Sequence, residues 1–440
     1  MTLPYTQSHI ASAANIPDPI PNLRLLLVAD SSSTHTHRWA QWFHDRGASV
    51  SILSCSTDPI PASDPPLGSA SSSPSPGTPG EGRGEGSAQC VCPTRKRSSI
   101  NVIPFPASPK WYHRIPKLRI LLDYPPFQRI IRELDPQLIH IHFVSEGGRA
   151  FYWDRLSIPL IASSWGQDVI FDQPRHPSTE PSLRRIFSRC QFITATTHQL
   201  AAATARFTPP GKPIYLIPFG VDITRFSPRQ PQATDHVTLG FAKHLLPKYG
   251  PDILIEAFAL IHHARPQTRL VLAGQGFLRP ALERRIAELG LTNSIELIGR
   301  VPHENIPDLI RSLDIMVMPS IYDSETFGVA AIEASACAVP VIASRVGGVP
   351  EAVLHNHTGL LVPPRDVSSL VEACLALIDD PDRRHRLGLA GRQFVQRHYV
   401  WQNNARQMEE VYRAALYDDL PREVPIYQPG VEPHFAVPTI

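Results

Sequence analysis

Apolar positions in this chain follow two rhythms. LRLLLVAD at 23–30 is a continuous apolar run closing on Asp30, the pattern of a strand buried on both faces. HRWAQWFHDRG at 37–47 then spaces Trp39, Trp42 and Phe43 along one helical face and stops on Gly47, and SVSILS at 49–54 is strand again. Strand, helix and strand in succession open a parallel sheet.

The rhythm breaks at 58–99, where Pro, Ser and Gly crowd out apolar residues and nothing can be buried, so a disordered surface insertion is expected. It resumes with strand-like NVIPF at 101–105 and a helical pattern at 115–134 that Pro125 and Pro126 should interrupt. Strands are expected at 136–143, 158–169, 191–196 and 213–222, with a helix at 198–207. The second half repeats the scheme, with apolar strands at 236–243, 268–276, 294–301, 314–320 and 339–346. Helices near 251–264, 278–290, 305–313, 327–337, 367–378, 382–398 and 403–416 lie between or after them.

The simplest account is two tandem Rossmann-like parallel-sheet α/β domains facing across a cleft. A flexible tail at 1–21 precedes an N-terminal domain at 22–222, a linker at 223–235, a C-terminal domain at 236–400, a final helix at 401–418 and a tail at 419–440. The length of 440 residues agrees, being too great for one ordinary domain. Ligands of such sheets sit beyond the carboxyl ends of the strands, so the cleft is where chemistry is expected.

Composition narrows the function. A formal charge of +2 argues against a general nucleic-acid binder. Six scattered cysteines form no disulfide framework, and Cys90 and Cys92 lack the second ligand pair of a zinc site. No apolar run is long enough to span a membrane and residues 1–22 lack a signal-peptide architecture, so the expected location is cytoplasmic. DDPD at 379–382 reads as the close of one helix and the cap of the next rather than as a metal site.

The candidate chemistry lies at the strand ends of the second half. Lys243 and Lys248 follow the first strand, Gly274 and Gly276 follow the second, and SETFGVAAIE follows the fourth. The glycine pair is expected to let backbone approach a ligand closely. A helix starting near Phe327 would offer the amides of Thr326, Phe327, Gly328 and Val329 to phosphates, with the two lysines adding charge. Glu325 before the helix and Glu333 inside it would stand roughly 10 Å apart along its axis. That matches a nucleotide-sugar: one carboxylate for the hexose hydroxyls, one for the ribose, phosphates between. Alone, Glu333 would be an ordinary solvated helix residue; its alanine-rich, apolar surroundings say otherwise.

ETFGVAAIE, together with LAGQG, IGRVPHENIPDLIRSLDIMVMPS, VPVIASRVGGVPEAV and IPFGVDITRF, resembles the retaining nucleotide-sugar glycosyltransferases of the GT-B fold, the family-four type of glycosyl transferases group 1. The resemblance spans nearly the whole chain except the insertion and tails. It implies that Glu325 contacts the donor hexose, Glu333 the ribose and Lys248 the diphosphate, with Lys243 standing where relatives carry arginine. It implies that Gly299, Arg300 and Val301 border the nucleobase, that His142 lies near the transferred sugar and that the loop of Asp168 faces the cleft. Front-face substitution with retention is implied, needing no metal and no cofactor beyond the nucleotide-sugar substrate. Lipid-linked or glycan acceptors are implied too, and SPKWYHRIPKLR at 108–119 reads either as a peripheral contact with an anionic membrane or as a solvated face.

The chain departs from the family pattern in three places. SSSTHTHRW replaces the usual glycine pair after the first strand, leaving His35 and His37 as surface-loop candidates for acceptor contact; Phe219 replaces an asparagine, and Ala338 a glycine. Two other readings stay open, a non-hydrolysing nucleotide-sugar epimerase and a non-catalytic nucleotide-sugar-binding subunit. The first lacks the E-x7-E ensemble. A dehydrogenase is disfavoured because no G-x-G-x-x-G follows the first strand.

Overall fold

The structure, a computed structural model, describes residues 19–54, 100–105, 116–144, 150–171, 177–228 and 235–431. The first 18 residues, the insertion at 58–99, the strip at 108–115, linker residues 229–234, residues 432–440 and Cys55, Cys90 and Cys92 lie outside them.

The first unit runs β1 (Arg24–Ala29), α1 (Thr34–Asp45), β2 (Ser49–Ser54), β3 (Asn101–Pro104), α2 (Pro116–Leu134), β4 (Leu138–His142) and α3 (Ala150–Trp153). It continues with β5 (Leu160–Ser164), α4 (Thr179–Arg189), β6 (Phe192–Ala195), α5 (His198–Ala205) and β7 (Ile214–Leu216). Its strands form a parallel sheet in the order β3-β2-β1-β4-β5-β6-β7. Leu25 pairs with Val50 on one side and Leu138 on the other, so the apolar run of β1 is central and covered on both faces.

The second unit holds β8 (Val237–Ala242), α6 (Pro251–Ala264), β9 (Thr268–Ala273), α7 (Arg279–Glu288), β10 (Ile295–Gly299), α8 (Ile306–Arg311) and β11 (Ile315–Met318). After these come α9 (Val329–Ala336), β12 (Val341–Ser344), α10 (Val349–Ala352), β13 (Gly359–Val362), α11 (Val367–Ile378) and α12 (Pro381–His398). The parallel order is β10-β9-β8-β11-β12-β13. The expected two-sheet architecture is therefore present. Its strand order reverses between β1 and β4 in one sheet and between β8 and β11 in the other, and each reversal opens a crevice at the strand carboxyl ends.

The chain crosses between units twice, and the crossings pair. Val221 N–H donates to Tyr399 O at 2.8 Å and Trp401 N–H to Val221 O at 3.0 Å. Gly220 permits this, since a Cβ there would lie 2.5 Å from the Trp401 Cα. The final helix, α13 (Trp401–Tyr417), returns to the first unit, where Trp401, Ala405, Met408 and Tyr412 pack with Leu25, Trp39 and Phe43.

One local expectation needs correction, and some elements were not foreseen. α2 is continuous through Pro125 and Pro126. Proline's φ suits a helix, and Phe127, fully buried against Tyr152 and Trp153 at ring distances of 5.2 and 5.1 Å, holds the helix across the missing amide donors. β13 and α4 were not anticipated, the first being a short run opened by glycine and the second an Arg-rich helix. Residues after α13 also partly order: Ile426 bridges Tyr215 antiparallel, covering the edge of β7.

Candidate functional site

The crevice between β8 and β11 is built by three loops that press backbone on backbone. Gly274, at φ 151°, lies where a Cβ would stand 1.9 Å from Lys243 O, and a Cβ on Gly276 would stand 2.1 Å from Leu245 O. The glycine pair thus admits the chain's own lysine loop, and Leu245 N–H donates to Gln275 O at 2.9 Å. On the other side Gly250, at φ 65°, leaves room for Pro319 O, which would lie 2.2 Å from a Cβ. Ile321 N–H donates to Lys248 O at 2.9 Å. The lysine loop is clamped between the ends of β9 and β11.

Lys243 Nζ and Glu325 Oε1 form an ion pair at 2.8 Å, their side chains 17% and 9% exposed. Burial pulls the Lys243 ammonium down, but Glu325, Tyr249 and Glu333 more than offset it and hold the pKa above the usual lysine value. Lys248 Nζ stands 4.6 Å from the Tyr249 ring centroid and Lys243 Nζ 5.2 Å, so one aromatic ring is shared by both cations. Tyr249 was not singled out from sequence; its only signal is its place beside Lys248.

The helix carrying Glu333 starts at Val329, two residues later than expected, with Gly328 at φ 79° as its N-cap. Thr326 and Phe327 are buried before it, while Val329 and Glu333 are half-buried. Ala331 N–H already donates to Gly328 O at 2.8 Å, so only the amides at the very start of α9 are left without a partner in the helix, an arrangement suited to an anion. Glu333 Oε1 lies 3.7 Å from His303 Nε2. Gly299, at φ 76°, accepts from Gly274 N–H through its carbonyl at 2.7 Å, Arg300 is exposed and Val301 half-buried, so this turn rims the crevice at the sheet's edge.

The opposite crevice, between β1 and β4, differs more from expectation. His35 and His37 are not in a loop but in the first turn of α1, which Ser33 caps. His35 stacks on Phe219 at 4.2 Å and lies edge-on to Trp165 at 6.2 Å; burial, then Arg38, His303 and Lys243, lower its pKa to about 4. Two of the three departures noted in the sequence thus meet in one stack. His37 Nε2 is instead 2.6 Å from Ser31 O.

His142 is 1% exposed, its ring 4.4 Å from that of Trp165, with Thr36 Oγ1 at 3.3 Å and His140 Nδ1 at 3.2 Å. Burial and the neighbouring His140 keep it neutral, well below the usual histidine value. His140 bridges Tyr412 Oη at 2.6 Å and Ser163 Oγ at 2.7 Å. Asp168 does not present its carboxylate to the cleft: it is fully buried and accepts from the amides of Val144, Trp165 and Gly166 at 3.0, 3.2 and 2.7 Å. Burial raises its pKa against the pull of those amides. It shapes the Trp165–Gly166 turn.

Arg38 was also missed. It donates to Gly220 O at 2.8 Å over the Trp401 ring, and burial lowers its pKa to about 10 while Glu333 and Asp222 counter the fall. The two crevices meet at Thr326, whose hydroxyl donates to Trp165 O at 2.8 Å and whose carbonyl accepts from Thr197 Oγ1 at 3.0 Å. Among the described residues no helix is long and apolar enough to cross a membrane.

Residues 222–394 match the profile described as "Glycosyl transferases group 1", and residues 32–225 match "Glycosyltransferase Family 4". The chain is 30% identical over 267 residues, 57% of its length, to the GDP-mannose-dependent alpha-(1-6)-phosphatidylinositol monomannoside mannosyltransferase of Mycolicibacterium smegmatis, covering 69% of that protein. It is also 30% identical over 314 residues to the D-inositol 3-phosphate glycosyltransferase of Arthrobacter sp., covering 65% of this chain and 73% of that one. In fold it is similar to a sucrose-phosphate synthase from Thermosynechococcus elongatus, with a TM-score of 0.69 at 22% identity over 91% of this chain and 100% of the other.

Proposed function

The chain belongs to group 1 of the glycosyl transferases, a retaining glycosyltransferase with a nucleotide-sugar donor, and on that premise we propose how its two crevices divide the work. The crevice of β8 and β11 binds the donor and the crevice of β1 and β4 receives the acceptor. The observation that carries this reading is the Lys243–Glu325 pair, set beside Lys248 and the amide end of α9.

In this assignment Glu325 holds the hexose hydroxyls through the carboxylate oxygen that Lys243 leaves uncommitted. Glu333 accepts from the ribose, and the turn of Gly299, Arg300 and Val301 borders the base. Lys243, Lys248 and the first α9 amides stabilise the negative charge that grows on the leaving diphosphate. As the bond from the anomeric carbon to the diphosphate breaks, the acceptor oxygen bonds to that carbon from the same face and its proton passes to the departing phosphate oxygen, which retains configuration. Trp165 covers His142 here, so contact between that imidazole and the sugar requires the Trp165 ring to move.

The relatives' names support GDP-mannose as the donor to test first and a phosphoinositol glycolipid as the acceptor class. The test is a thermal-shift and calorimetric screen against UDP, GDP, ADP and GDP-mannose without added metal. At about one hundred times its dissociation constant a true ligand adds roughly 2.7 kcal/mol of stability, well within reach of the method. One responding nucleoside diphosphate is expected; silence from all three overturns the donor-site assignment.

A further inference from the structure

Glu351 lies outside every donor contact named above, yet it spans the two units. Its side chain is 11% exposed, and it comes from α10 in the second unit. Its Oε2 accepts from His198 N–H at 2.9 Å and lies 3.0 Å from His198 Nδ1, and its Oε1 accepts from Gln199 N–H at 3.0 Å. These are the first amides of α5 in the first unit, which lack acceptors within their own helix. A carboxylate from one unit thus closes the positive end of a helix in the other. Thr197, the N-cap of α5, adds the hydroxyl that donates to Thr326 O.

Four further contacts tie the α10 turn to the loops around it. The Glu351 carbonyl accepts from Tyr399 Oη at 2.7 Å, and Tyr399 belongs to the paired crossings. Two residues before α10, Gly347 would bring a Cβ to 2.3 Å from Glu325 O, and Gly348 would bring one to 2.0 Å from Thr326 O. Gly348 N–H donates to Glu325 O at 3.2 Å. The α10 turn therefore carries the Glu325–Thr326 backbone on its shoulder while its carboxylate grips α5.

We propose that Glu351 is a positioning residue for sugar transfer: by gripping the first turn of α5 it holds the Glu325–Thr326 loop at the wall formed by Trp165, so that bound donor faces the acceptor crevice. The inference rests on the reading of the β8–β11 crevice as the donor site. Glu351 touches no substrate in this scheme. Its loss leaves donor binding intact within the second unit and slows the step that needs both units.

The test is Glu351→Gln in the full chain, which keeps the shape but sets an amide N–H2 against a backbone donor. Three quantities are read: the dissociation constants of GDP and UDP by calorimetry, turnover of the matching nucleotide-sugar as diphosphate release, and hydrogen exchange over residues 196–203. The expected result is kcat down about tenfold or more with nucleotide affinity within about twofold of wild type. The α5 first-turn amides should exchange about tenfold faster. Gln199→Pro is the second variant: it deletes one of the gripped amides where a helix tolerates proline, leaves the donor unit untouched, and should reproduce the same split. Unchanged exchange in Glu351→Gln overturns the grip, unchanged kcat with faster exchange overturns its use in transfer, and affinity falling in step with kcat would make Glu351 a donor ligand instead. If neither GDP nor UDP binds even the wild type, the donor-site reading fails first, whatever the exchange experiment shows.

Discussion

Lys243 and Glu325 stand 82 residues apart in the chain and 2.8 Å apart in space, and they are the point at which the ends of β8 and β11 meet. Neither charge could be left alone in so closed a place, because an unpaired buried ion costs several kcal/mol in real proteins. The pair holds a cation at the position proposed for the diphosphate.

Glu325→Gln should slow transfer by about 100-fold, the scale on which loss of one charge-stabilising group is felt. Binding of the bare nucleoside diphosphate should hold, because that ligand has no hexose for Glu325 to grasp. Single-turnover rates beside calorimetry make the distinction. Equal losses in both would move Glu325 to the diphosphate.

Glu333→Gln should do the reverse. Losing a charged hydrogen-bond acceptor from the ribose should weaken nucleotide binding about tenfold, with little change in kcat at saturating donor. Titration with the nucleoside diphosphate alone is sufficient to see it.

Gly274→Ala should disable the site and destabilise the second unit. The added methyl would stand 1.9 Å from Lys243 O at a φ of 151°, so the lysine loop must shift. Nucleotide affinity should fall at least about tenfold, and because the clash is with backbone the stability should fall too, by about 3 kcal/mol or more. Unchanged affinity would show that the Lys243 loop does not have to sit where it does.

Acid should weaken the first unit before it reaches the carboxylates. Burial lowers His140 to about 3 and His142 well below the usual histidine value. Unfolded, both bind protons near pH 6.5, so between there and their folded pKa values the unfolded state holds more protons and stability drops as the pH is lowered. Each imidazole contributes at most about 1.4 kcal/mol per pH unit in that window. Urea unfolding from pH 7.5 to 5.0 should show a steeper loss for wild type than for His140→Asn. Identical slopes would mean the buried pair is not neutral in the folded protein.

Much of this was readable from the residues. Continuous apolar runs marked the parallel strands because a strand covered by helices on both faces has no solvent side to alternate toward. ETFGVAAIE marked the helix proposed for the donor because a carboxylate among alanines calls for a polar partner. What escaped reading were contacts whose partners are remote in sequence. Glu351 finds His198 across 153 residues, and nothing near either residue announces it. Gly274 and Gly276 were legible as close-approach positions, but not that the approaching group is the lysine loop. His142 sits on a strand end as expected; the Trp165 ring over it could not be seen from LIHIHF. Asp168 could equally have faced the cleft or capped its turn, and the amides around it decide the matter.

The return of α13 to the first unit sets a clock on synthesis. Trp401, Met408 and Tyr412 complete a core whose other half, with Leu25, Trp39 and Phe43, leaves the ribosome first. At about 5–20 residues per second, that half waits tens of seconds for its last helix, with His140 lacking Tyr412 and an apolar face open to solvent. The second unit, whose sheet lies entirely between the two crossings, has no such wait until α12 emerges. Of the two units, the one made first is therefore the one finished last, and the nascent chain spends that interval where chaperones would find it.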